Sequence, residues 1–257
     1  MISTNTQPRE SALPRELAMR VAATEYQRFA AAVRDLAADD WELPTDCPAW
    51  NVHELVAHVV GMASMASSPL EDRRQRKAAL ARMRAAGSSG PFIDALTAHQ
   101  VDLFKDRTRD ELVALASTVG SKAARGRRRT PRFARRRLLS VPQVVNGVAE
   151  PWTIGYLVDT VLTRDPWMHR IDLAQATGRP LHLTLDHDGV IVADVVAEWA
   201  ARHRRPYHLT LTGPAGGYWS SGVADEADHL TLDAIEFCRI ASGRGLGSGL
   251  LSIQVPF

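Results

Sequence analysis

The chain is short of cysteine: it has two, Cys47 and Cys238, among 257 residues. Two thiols so far apart, neither in a CxxC pair, exclude a disulfide framework. They fit a reducing cytoplasm, which is the expected compartment. The chain also lacks a long uncharged apolar run, so no membrane-spanning helix is expected. Residues 1–13 are polar, contain proline and lack the apolar centre of a secretion signal; a flexible tail is expected there. No zinc finger, RNA-binding aromatic motif or helix-turn-helix pattern is present, so nucleic acid is not an expected partner.

What is present is ordinary for a globular protein: 45% hydrophobic and 23% charged residues, enough chain for one large domain or two small ones. The net charge of +2 is unevenly spread. Lys122, Arg125, Arg127, Arg128, Arg129, Arg132, Arg135, Arg136 and Arg137 crowd one stretch. Like charges in a block repel, and a solvated, extended loop is expected for it.

Helical grammar fills the first two-thirds. Leu17, Val21, Ala22, Tyr26, Phe29, Val33 and Leu36 recur at helical spacing over 14–39. A turn with Pro44, Cys47 and Pro48 follows. Asn51 and Glu54 form a capping box, with Trp50 and Leu55 placed for a hydrophobic staple, and open a helix to about Met65. Further helices are expected near 76–85, over 92–104, and from the Thr108/Glu111 capping box to about Val119. A last helical region over 151–177 ends at Gly178 and Pro180. Some four principal helices suit a bundle over 14–178.

After Pro180 the pattern changes. Leu181, Leu183 and Leu185 alternate with polar residues, as in a strand. A helix over 189–203, a strand over 207–212, a hairpin at Gly216-Gly217, a helix over 233–241 and a terminal strand over 250–257 complete a small α+β domain, 179–257.

One constellation carries chemistry. His58 shares its helix face with Leu55, Val59 and Met62, and so points inward, while His53 points away. Asp165 and His169 are an i, i+4 pair, and Asp172 shares their face. Facing helices of a bundle can bring such a pair opposite a histidine and build an open divalent-metal site, zinc suiting the donors best. Asp165-Pro166 also reads as a helix start, with the aspartate as a cap that holds no metal. Both readings stand at this level.

Trp41-Glu-Leu-Pro-Thr-Asp-Cys-Pro-Ala-Trp50, followed by Asn51-Val-His-Glu-Leu-Val-Ala-His58, resembles the opening of the mycothiol-dependent maleylpyruvate isomerase family. So does Asp165-Pro-Trp-Met-His169-Arg-Ile-Asp172. Glu236-Phe-Cys-Arg-Ile-Ala-Ser-Gly-Arg244 and the closing Val255-Pro-Phe257 resemble its second domain. The resemblance implies an α plus α+β fold: a DinB-like four-helix bundle holding a divalent metal, usually zinc, then a small sterol-carrier-like domain. It implies metal ligands at His58 and His169 and at the glutamate of a Glu-x-x-x-His pair, a position held here by Asp165. Aspartate is one methylene shorter, which leaves three outcomes: a shifted backbone, a weaker site or a lost one. Asp172 would orient the His169 ring. Mycothiol would be the thiol cosubstrate, and Arg170, Arg239 and Arg244 the cationic partners of a small anionic substrate. The expected function is a metal-dependent isomerase or thiol transferase acting on a small electrophile. The alternatives are a non-catalytic metal or small-molecule binding module, and a metal-free interaction or regulatory protein.

Overall fold

The structure, a computed structural model, describes residues 3–4, 7–87, 90–223 and 227–257. It divides into two units, Met1–Arg179 and Pro180–Phe257. The first is helical: α1 (Arg15–Arg34), α2 (Val52–Ser67), α3 (Pro69–Ala85), α4 (Phe92–Phe104), α5 (Arg109–Arg129), the short α6 (Arg132–Arg135) and α7 (Ile154–Tyr156), and α8 (Leu162–Thr177). Among the described residues no helix is long and apolar enough to cross a membrane.

Both capping boxes form. The Asn51 side chain accepts from the Glu54 amide while Glu54 accepts from the Asn51 amide, and Thr108 and Glu111 do the same. Each box satisfies amides that the first turn leaves unpaired. α1, α5, α2 and α8 touch in that order, and α8 closes back on α1, so four helices ring one core. Leu55, Val56, Val59, Val33, Phe29, Leu112 and Ala123 fill it. Small residues set the close approaches: a side chain at Gly120 would collide with Tyr26 on α1. Gly178 ends α8 in the left-handed conformation, φ 66°.

Two expectations change here. The arginine run is largely helical, because α5 continues to Arg129 along the buried stripe Ala116, Val119, Gly120, Ala123 and Arg127. Burial of that stripe outweighs the repulsion that favoured an extended loop. The amino-terminal segment, where described beyond Thr4, is tied down. Arg9 donates to both carboxylate oxygens of Glu150 at 3.1 Å each. Its backbone bonds Pro151 and Thr153. Residues 1–2 and 5–6 of the expected tail lie outside the described residues. Asn146 and Gly147, with φ of 49° and 74°, turn the β2 (Gln143–Val145) to β3 (Val148–Glu150) hairpin beside this strap, and β1 (Ser3–Thr4) pairs with β3.

The route into α8 is irregular. Leu157–Val161 forms one π-helical turn, and Pro166 lies inside α8. Proline has no N–H to give the carbonyl of Leu162 four residues back. Arg127 Nη1 gives it one instead, at 2.9 Å, while its Nε bonds the Val158 carbonyl at 2.6 Å. Asp165 therefore lies within the helix, one turn in, and does not cap it.

In the second unit, α9 (Asp188–His203) and α10 (Ala234–Ala241) accompany a three-stranded sheet. Its order is β5 (Gly217–Ser221), β4 (Tyr207–Thr212), β6 (Asp228–Asp233), with β4 antiparallel to β5 and parallel to β6. Trp199 is fully buried and T-stacked on Tyr207 and Phe237. The strand expected over 181–185 is absent: Thr184 and Asp188 bond each other's backbone and side chain, making a turn into α9. The expected terminal strand is also absent. Gly249–Ser252 is a 3-10 turn, and the Leu250 carbonyl accepts from Trp199 Nε1 at 2.9 Å.

Candidate functional site

His58 lies on α2, facing α8, and is 2% exposed. Its Nε2 stands 3.3 Å from Asp165 Oδ1. His169 lies one turn beyond Asp165 on α8, and its Nε2 stands 3.7 Å from that same oxygen. The three donor atoms all lie within 4.8 Å of one another. The short Asp165 side chain thus reaches both imidazoles.

These separations are compatible with a shared ion. Charge-assisted hydrogen bonds between nitrogen and carboxylate close to about 2.7–2.9 Å. Donors about 2.0–2.2 Å from a common tetrahedral ion stand about 3.3–3.6 Å apart. The observed spacing resembles the second case. Two imidazoles and one carboxylate are the donor set of an open zinc site, and the residues fit such an ion.

The surroundings orient the donors. Asp172, fully buried, accepts from His169 Nδ1 at 2.9 Å, which turns Nε2 toward Asp165. Burial works against a charge on His169. The Asp165 charge and the Asp172 hydrogen bond, with a further bond from Cys47, outweigh it and raise the pKa to about 10. The Trp50 ring stacks on His58 with centroids 4.8 Å apart.

Trp50 and Cys47 arrive on one tied turn. Thr45 Oγ1 donates to the Trp50 carbonyl at 2.9 Å, and the Trp50 amide donates to the Cys47 carbonyl at 2.8 Å. Cys47 Sγ then lies 3.8 Å from Asp172 Oδ2. Sequence reasoning placed Trp50 in a staple and gave Cys47 no role in the site. The signal was the proline-bounded loop before the Asn51 cap, which delivers both side chains to the mouth of α2.

The arginines fare differently. Arg170 is buried and donates Nε and Nη2 to the two oxygens of fully buried Glu25, at 2.8 and 3.0 Å. Its fork engages Glu25 of α1. Arg239 and Arg244 lie in the second unit, Arg239 pairing with Glu236 at 2.9 Å.

Known proteins bear on this geometry. Uncharacterized proteins of two Mycobacterium tuberculosis strains, MT0041 and Rv0036c, are 26% identical over 225 residues, covering 83% of this chain and 80% of theirs. The crystal structures of the mycothiol-dependent maleylpyruvate isomerase and of a histidine-to-alanine mutant of it share the fold. Each superposes with a TM-score of 0.56 at 16% identity, covering 91% of this chain and 90% of that one. The model of the mycothiol maleylpyruvate isomerase N-terminal domain matches residues 22–174, a span holding His58, Asp165, His169 and Asp172, and the chain belongs to that family.

Proposed function

We propose that the protein is a divalent-metal-dependent enzyme that uses mycothiol to isomerise, or to transfer the thiol to, a small electrophilic substrate. Family membership supports the thiol. The convergence of two imidazole nitrogens and one carboxylate oxygen, from segments 107 residues apart, supports the metal and carries the reading. Zinc suits these donors, and three protein ligands leave a position open.

A bound ion there would supply Lewis acidity and stabilise a thiolate at neutral pH. The chain's own groups do the rest. His58, Asp165 and His169 hold the ion, and Asp172 keeps the His169 Nε2 lone pair aimed at it by accepting the Nδ1–H hydrogen bond. Trp50 walls the His58 side and limits water. The isomerisation consistent with this site is thiol addition to an activated double bond, rotation about the single bond so formed, and elimination of the thiol.

Elemental analysis of the protein as purified tests the reading. About one divalent ion per chain is expected, with turnover of mycothiol and an electrophile. His58→Ala should remove both ion and turnover. Full metal content in that variant, or none in the parent, overturns the ligand assignment.

A further inference from the structure

The helical unit holds a second concave site that the metal constellation does not use. A cavity of about 780 Å³ opens between the end of α2, the start of α3, the last turns of α5 and the Leu157–Val161 turn. His58, Asp165 and His169 do not line it. Its volume lies within the range of small-molecule pockets.

One wall is apolar: Met65, Leu138, Leu139, Ile154, Leu157 and Val158 face it. Leu138 keeps half of its surface exposed there, although it is a large hydrophobic side chain. Another part of the lining is cationic. Lys122, Arg125 and Arg129 stand at i, i+3 and i+7 on one face of α5, and none has a carboxylate partner among the described residues. The carboxylate on the rim, Asp72, is taken by Arg76 at 2.7 Å.

Beneath them lies Arg127, which is 1% exposed. It donates to the Val158 and Leu162 carbonyls, the Tyr26 hydroxyl and the Thr163 hydroxyl. All four acceptors are neutral, since burial raises the Tyr26 pKa above its ordinary value even against the opposing Arg127 charge. A buried guanidinium is ordinarily matched by a buried carboxylate, as Arg170 is by Glu25. Arg127 has no carboxylate in hydrogen-bond contact among the described residues, and it belongs to the cavity lining.

We propose that this cavity binds an amphipathic organic anion, its apolar body against Leu138, Leu139, Ile154 and Leu157 and its acidic head at Lys122, Arg125 and Arg129. The arginine run is then a ligand wall and not a nucleic-acid patch. The site is separate from the proposed metal centre, and its occupancy can be read without turnover.

Titration calorimetry below the micelle threshold tests this, with dodecanoate and dodecyl phosphate as probes. Saturable one-to-one binding of either is expected, and the stronger of the two identifies the preferred head group. Lys122→Ala/Arg125→Ala should weaken it about tenfold or more, as should Leu138→Glu. All these positions are exposed, so the fold should survive, checked by circular dichroism. The proposal is overturned if neither probe saturates. It is equally overturned if both variants bind as the parent does, if dodecyltrimethylammonium binds as well as dodecanoate, or if inorganic phosphate alone binds as tightly.

Discussion

Arg127 Nη1 lies 2.9 Å from the Leu162 carbonyl, the acceptor that Pro166 deprives of its helical donor. One buried side chain from α5 therefore repairs the backbone of the helix that carries Asp165 and His169. Replacing it with methionine leaves one buried and one part-buried carbonyl without that donor, at about 1–3 kcal/mol each. Urea denaturation of Arg127→Met should show a loss of about 2–5 kcal/mol. Pro166→Ala restores an N–H opposite Leu162. The double variant should thus lose less than the two single losses added together, and strict additivity would refute the repair.

Asp172 would act on the proposed metal only through the His169 ring, from which it accepts a hydrogen bond at 2.9 Å. Asp172→Asn should weaken zinc binding about 10- to 100-fold, measured by competition with a chelating dye. Asp165→Asn replaces a charged carboxylate donor by a neutral amide oxygen and should weaken it more. Equal affinity in Asp165→Asn and the parent would restrict Asp165 to a local structural role.

The pH response of the chelator-treated protein follows from His169. Its folded pKa of about 10 lies above the ordinary value of 6.5. The proton is held more tightly when folded, so its stabilisation is complete below pH 6.5 and is lost as the pH rises through about 10. The urea midpoint should fall between those limits, and His169→Gln should flatten the fall. Zinc must displace the same proton, so its affinity should rise with pH over the same interval.

Glu25 and Arg170 form a pair with side chains 0% and 5% exposed. Glu25→Gln leaves a buried guanidinium with its charge partner gone and should cost about 3–5 kcal/mol. Metal content per folded chain should stay unchanged, because neither residue belongs to the donor set.

Much of the helical unit was legible because its signals are local. Both capping boxes form as read, and the inward face of α2 puts His58 where periodicity places it. The Asp165-Pro166 ambiguity could not be resolved locally, since the residue that decides it is Arg127, more than thirty positions away. The second unit shows the same limit more sharply. His-Leu-Thr-Leu occurs three times, at 182–185, 208–211 and 229–232. The second and third copies pair in parallel register, His208 on His229 and Leu209 on Leu230. The first copy makes no strand, because Asp188 captures Thr184. An identical tetrapeptide takes two conformations, and the neighbour decides. That repetition was the available signal for β6, which periodicity read segment by segment passed over.

The 107 positions separating His58 from Asp165 also set an order of events at the ribosome. At about 5–20 residues per second, the first imidazole waits roughly 5–20 s for its carboxylate partner to be synthesised. An ion bound by all three proposed donors would consequently enter a cage whose walls are already translated, and would not serve as the template around which the nascent chain begins to fold.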